Sequence, residues 1–166
     1  SILGWVVMLA PLGIAFWMML GARRMSATTA QILFWSYAML LGMSLSTVLL
    51  VYTAGSVATA FFAAAASFGA LSLWGYTTKR DLAPMGTFLI MGLFGLIIAM
   101  LLTALIPGEN PAVTMAINVI GVLIFAGLTA WHTQAIKDAY DYVKHDRQEL
   151  KKVQIFGALN LYVDFI

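Results

Sequence analysis

Cysteine is absent from the 166 residues. That absence excludes disulfides, zinc–thiolate centres, iron–sulfur clusters and thiol nucleophiles, and it leaves the redox compartment undetermined. Charge is scarce as well. Asp, Glu, Lys and Arg make up 10% of the chain, against about a quarter in a soluble domain. No histidine–carboxylate cluster has zinc-ligand spacing and no glycine-rich phosphate loop is present, so metal-assisted hydrolysis and nucleotide hydrolysis lack support. The net charge of +2 and the pI near 9.0 do not point to nucleic acid, because the basic residues sit in short loops and form no continuous stripe. The first apolar run, Ser1 to Leu20, has no basic region before it and no cleavage site after it, so it does not read as a signal peptide.

What is present is apolar sequence: 62% hydrophobic residues and a mean hydropathy of +0.93. It falls into uncharged runs of the length a bilayer requires, about 17 to 25 residues. Spans are expected at 2–21, 29–53, 56–77, 84–106, 112–136 and from 153 onward. Each is helical, since in hydrocarbon every backbone amide must find its partner within the segment. The alternating ten-residue strands of a barrel are missing. The expected fold is an all-α polytopic bundle with six apparent transmembrane helices in a single domain over 1–166, and the lipid bilayer is its first partner.

The connections alternate in charge. Arg23 and Arg24 follow the first span and Lys79 and Arg80 the third, while Lys137, Lys144, Arg147, Lys151 and Lys152 follow the fifth; the second connection has no charge and the fourth only Glu109. By the positive-inside rule the odd connections face the cytoplasm and Ser1 lies on the far side. Thr53-Ala54-Gly55 and Pro107 to Pro111 read as tight turns. The polar stretch from Lys137 to Lys152 reads as a continuation of the fifth helix beyond the membrane surface. Ala63 to Ala66, Ser67, Gly69 and Ala70 form a small-residue surface that makes the third span the expected central helix, and Gly92, Gly95, Gly121 and Gly127 suit the same close approach. Trp5, Trp17, Trp35, Trp74 and Trp131 lie near span ends and read as headgroup anchors. The ten methionines read as adaptable filler.

Two ionisable residues lie inside apolar runs: His132 near the cytoplasmic end of the fifth span and Asp164 within the last. An intramembrane carboxylate costs at least ~2.5 kcal/mol and by default marks a functional site, with a structural hydrogen bond to a neighbouring helix as the plainer account. At 1.5 Å per residue His132 lies only ~7 Å inward of Lys137, while Asp164 lies ~18 Å inward of Lys152. The two meet only if the fifth helix runs well past Lys137. If they meet, each favours the charged form of the other while burial opposes both, so the pair exchanges a proton near physiological pH. Ser44 and Ser46, in Gly42-Met43-Ser44-Leu45-Ser46, superficially suggest a serine nucleophile. Ser44 is expected in the middle of a regular helix, without the strained turn or oxyanion donors of acyl transfer, so no enzyme is expected.

Ala158-Leu159-Asn160-Leu161-Tyr162-Val163-Asp164-Phe165-Ile166 resembles the last-helix signature of the Bax inhibitor family, and Gly127-Leu128-Thr129-Ala130-Trp131-His132-Thr133-Gln134 resembles its preceding helix. Arg23-Arg24 before the second span and Lys79-Arg80-Asp81-Leu82 before the fourth fit the same pattern. The resemblance implies seven helices, one of them before the first span here. Both ends of this chain therefore read as cut, the last run from Val153 having only 14 residues where about 20 are needed. It also implies a pH-dependent calcium leak governed by two aspartates that share a proton and an arginine that latches them. Asp164 matches one aspartate, Arg24 or less closely Arg23 the latch, and His132 stands where the other aspartate belongs. Imidazole suits hard Ca²⁺ poorly, so Asp164 is the one residue expected to meet the ion. The expected activity is a pH-sensitive leak of calcium or protons with no resident cofactor. The alternative is a non-conducting protein that regulates a membrane partner such as a protease. Short connections favour a bacterial inner membrane over an organelle.

Overall fold

The computed structural model describes residues 2–21, 24–108 and 110–166, apart from the side chains of Trp5, Val7, Met8, Leu12 and Met19. It contains α1 (Ile2–Gly21), α2 (Ala27–Leu45), α3 (Val48–Val51), α4 (Ala54–Thr77), α5 (Ala83–Leu105), α6 (Pro111–Val143) and α7 (Arg147–Phe165), and no strand among the described residues. The all-α membrane class is as expected. By length and composition four described segments can cross a bilayer: Ala27–Val51, Ala54–Thr77, Ala83–Leu105 and Pro111–Val143. The apolar stretch of α1, Ile2–Met18, is shorter, and α7, which carries the sixth expected span, is not among them.

Local chemistry sets the helix starts. Ser26 Oγ accepts from Thr29 N at 3.2 Å ahead of α2, and Thr53 Oγ1 accepts from Ser56 N at 3.2 Å ahead of α4. Asp81 Oδ1 accepts from Ala83 N at 3.0 Å before α5, and Asn110 Oδ1 from Ala112 N at 3.1 Å before α6. Each such bond satisfies an amide that has no partner inside its helix. Gly108, in the turn between α5 and α6, has φ +103°, a conformation that costs a residue with a Cβ far more than glycine.

Two boundaries differ from expectation. The second span is not one regular helix. Ser46 Oγ donates to Met43 O at 2.6 Å and Thr47 Oγ1 to Ser44 O at 2.8 Å, while Leu49 N and Leu50 N reach back to Ser46 O and Thr47 O. These three-residue bonds tighten the chain and separate α2 from α3. Ser44 therefore lies in the last turn of α2, not mid-helix. The last helix begins at Arg147 instead of Val153, because Asp146 Oδ1 accepts from Gln148 N and Glu149 N at 3.0 and 3.3 Å. An Asp cap with Glu three residues on is a helix-start pattern, here set in a charged stretch.

The chain divides into two compact units, Ser1–Ala63 with Ala139–Leu159, and Ala64–Asp138 with Asn160–Ile166. In the first, α1 packs on α2, and Met18, Met25, Ala27, Ala30 and Tyr37 are buried. The second has its core between α5 and α6, where Leu96, Ile124 and Leu128 are buried against Leu89, Ile90, Leu93, Ile117, Phe125 and Trp131. The expectation that the third span is central does not hold. Gly75 is the one buried residue of α4, whereas α6 buries Ile124, Leu128, Thr129, Ala130 and Gln134. Wide apolar exposure elsewhere, such as Phe62 at 70% and Met91 at 69%, would be a liability in water and suits contact with lipid tails.

Candidate functional site

In the second unit polar contacts converge on His132, Gln134 and Lys137 of α6. The approach of the helices there is set by two glycines. A Cβ on Gly75 would collide with the backbone carbonyl of Ala130, and one on Gly86 with the indole of Trp131. Small residues let backbones close to this distance, so α4 and α5 pack against successive residues of α6. Trp131 thereby packs beside the core, whereas Trp17 and Trp35 are 61% and 60% exposed. Gly92, Gly121 and Gly127 do serve close packing, facing Ile124, Leu96 and Leu89, whereas Gly69 and Gly95 have nothing within 4 Å.

His132 follows Trp131, and its ring lies 5.0 Å from the indole, centroid to centroid. Its Nδ1 is 2.5 Å from Asp164 Oδ2, the one ion pair among the described residues. The side chains are 16% and 2% exposed, and a carboxylate so enclosed requires a partner. With Asp164 ionised, His132 Nδ1–H donates to the carboxylate. The meeting depends on α6 running past Lys137 to Val143, the condition stated from the sequence. Phe165 stacks edge-on against Phe68 of α4, with centroids 5.6 Å apart, so α4, α6 and α7 all meet around the pair.

Two further residues fasten the same region and gave no signal as site residues in the sequence. Gln134 is buried; its Nε2 donates to Arg80 O at 2.7 Å and its Oε1 accepts from Leu82 N at 2.9 Å. Both ends of one amide thus hold the backbone of the α4–α5 connection. Lys137 Nζ donates to Tyr76 O at 2.9 Å and sits 4.9 Å above the Tyr76 ring, where a cation meets the negative end of α4. The expected latch is a different matter. Arg24 is exposed and belongs to the first unit, whereas His132 and Asp164 belong to the second, and Arg23 lies outside the described residues.

Among the described residues no three His, Asp or Glu side chains converge as a metal site. Asp164 with one imidazole supplies few of the six to eight oxygens that Ca²⁺ takes. The arrangement is suited to holding and moving a proton.

The family model described as Inhibitor of apoptosis-promoting Bax1 matches residues 1–166. An uncharacterized protein of Rickettsia prowazekii (strain Madrid E) is 48% identical over 163 residues, 98% of this chain and 68% of that protein. An uncharacterized protein of Caulobacter vibrioides is 45% identical over 161 residues, 97% of this chain and 64% of its own length. The inner membrane protein YbhL of Escherichia coli (strain K12) is 43% identical over 145 residues, 87% of this chain and 61% of YbhL. The chain thus spans roughly two thirds of these relatives. No solved structure gives a significant match.

Proposed function

The chain belongs to the Bax inhibitor family, and from that premise we propose that its His132–Asp164 bridge gates a pH-responsive cation leak, with protons favoured over calcium. It is a multi-pass protein of the bacterial inner-membrane type, in keeping with its apolar helices and its relatives. The observation that carries the reading is the 2.5 Å contact between Nδ1 and Oδ2 with Asp164 almost fully enclosed. A buried carboxylate bridged to the one side chain that ordinarily titrates near neutrality is a proton-dependent contact between α6 and α7. Protonating Asp164 replaces a charged acceptor by a neutral carboxyl and weakens its hold on His132, so the bridge loosens on the acid side. Lys79, Arg80, Asp81, Lys137, Asp138 and Tyr162 carry other titratable groups of the surrounding elements, and His132–Asp164 is the one ion pair among the described residues.

Calcium is the less favoured cargo because imidazole replaces one carboxylate of the family's expected pair and lowers the negative charge by one. The test is flux into dye-loaded liposomes carrying the full-length protein, at about pH 6 and about pH 8, on either side of the ordinary histidine pKa of ~6.5. Proton flux is expected to be faster at the lower pH, and Asp164→Asn to lose that dependence. His132→Asp is expected to raise calcium permeation relative to protons. An unchanged pH profile in Asp164→Asn removes that residue from the gate. Silence at both pH values from folded protein instead favours a non-conducting regulator of a membrane partner.

A further inference from the structure

Ser72 breaks a rule that its neighbours keep. A hydroxyl inside a helix ordinarily donates to the carbonyl four residues back, as Thr77, Thr87, Thr103, Thr129 and Thr133 do in this unit. Ser72 Oγ is buried and has no hydrogen-bond partner, and it is the one such side-chain atom among the described residues. A buried hydroxyl left unpaired is unfavourable, and native structures keep few of them without a reason.

Its position supplies the reason. Along α4, Ser72 lies between Phe68, which touches Phe165 of α7, and Gly75, which abuts Ala130 of α6. At ~100° per residue these three positions share one face of the helix, and Ser72 is ~6 Å along the axis from Phe68 and ~4.5 Å from Gly75. That face points to the junction of α6 and α7, where His132, two residues after Ala130, bridges Asp164, the residue before Phe165. The His132 ring uses Nδ1 in that bridge.

Resting on the gate reading above, we infer that Ser72 is a third polar member of the site, a positioning residue. Its hydroxyl bonds, directly or through one water, to the His132–Asp164 pair when the bridge rearranges. The group that lacks a partner in this arrangement is the waiting partner in the other. A serine can serve because its hydroxyl both donates and accepts, so it can meet a carboxylate, a carboxylic acid or either form of imidazole.

The experiment compares Ser72→Ala and Ser72→Thr in the full-length protein by three readouts: thermal unfolding, proton flux in liposomes, and the ring ¹⁵N signals of His132 across the pH range. Alanine is expected to leave the unfolding temperature unchanged or raise it, since it removes an unsatisfied group, and yet to reduce flux about tenfold, the effect of losing one good hydrogen bond. It should also shift the His132 signals, and threonine should restore both flux and signals. Alanine leaving flux and His132 signals unaltered overturns the inference, as does a flux loss that threonine fails to restore. If the native protein carries no flux, the gate reading falls by itself. The His132 signals then decide Ser72 alone: a shift with alanine keeps it in the site, and no shift removes it.

Discussion

Two stretches that carry small residues behave in opposite ways. Ala64–Ala70 of α4 is largely exposed, and Gly69 within it has nothing near its missing Cβ. Gly127–Gln134 of α6 mixes small residues with Leu128, Trp131, His132 and Gln134; it buries Leu128, Thr129, Ala130 and Gln134 and receives α4 at Gly75 and α5 at Gly86. Small side chains permit close approach, but a neighbour must come with a face that fits. In α6 that face also carries groups worth holding still, the imidazole that meets Asp164 and the amide that grips the α4–α5 connection.

Substitutions can sharpen this contrast or break it. The largest effect is expected at the glycines that touch backbone or indole. Gly75→Val and Gly86→Val should each destabilise the protein by about 3 kcal/mol, the upper range of overpacking, measured by reversible denaturation in detergent. Gly69→Val should stay within about 0.5 kcal/mol of the native protein; equal losses at all three positions would show that the two stretches are not different. Next is Gln134→Leu, which keeps the volume but strands Arg80 O and Leu82 N. A loss of about 2 kcal/mol is expected from leaving such groups unpaired, together with faster amide exchange at Leu82. A smaller effect, about 1 kcal/mol, is expected for Asp146→Ala at the start of α7. It should appear first as faster exchange at Gln148 and Glu149.

Much of the architecture was legible because hydrocarbon imposes a simple grammar. It demands long uncharged runs and closes every amide within its helix, so the apolar spans stand out. His132 and Asp164 were legible for the same reason, as the ionisable residues within those runs. The start of α7 was obscured by its charge, although Asp146 and Glu149 carried the capping pattern. The break at Ser46–Thr47 was hidden because serine and threonine are compatible with helix until their hydroxyls bond back to carbonyls. Gly75, Gly86 and Ser72 were not legible at all, and Gln134 stood out only as part of the stretch that resembles the family. Their roles depend on which face of one helix meets which residue of another, and nothing local to their own segments records that.

The grip of Gln134 on Arg80 and Leu82 has a mechanical meaning. His132 lies two residues earlier on the same helix, and a helical segment this short transmits displacement as a rod. The turn bearing Lys79 and Arg80 and the imidazole of the bridge are therefore held by one short segment of α6. If that shared hold matters, Gln134→Leu, which releases the turn, should also shift the ring ¹⁵N signals of His132.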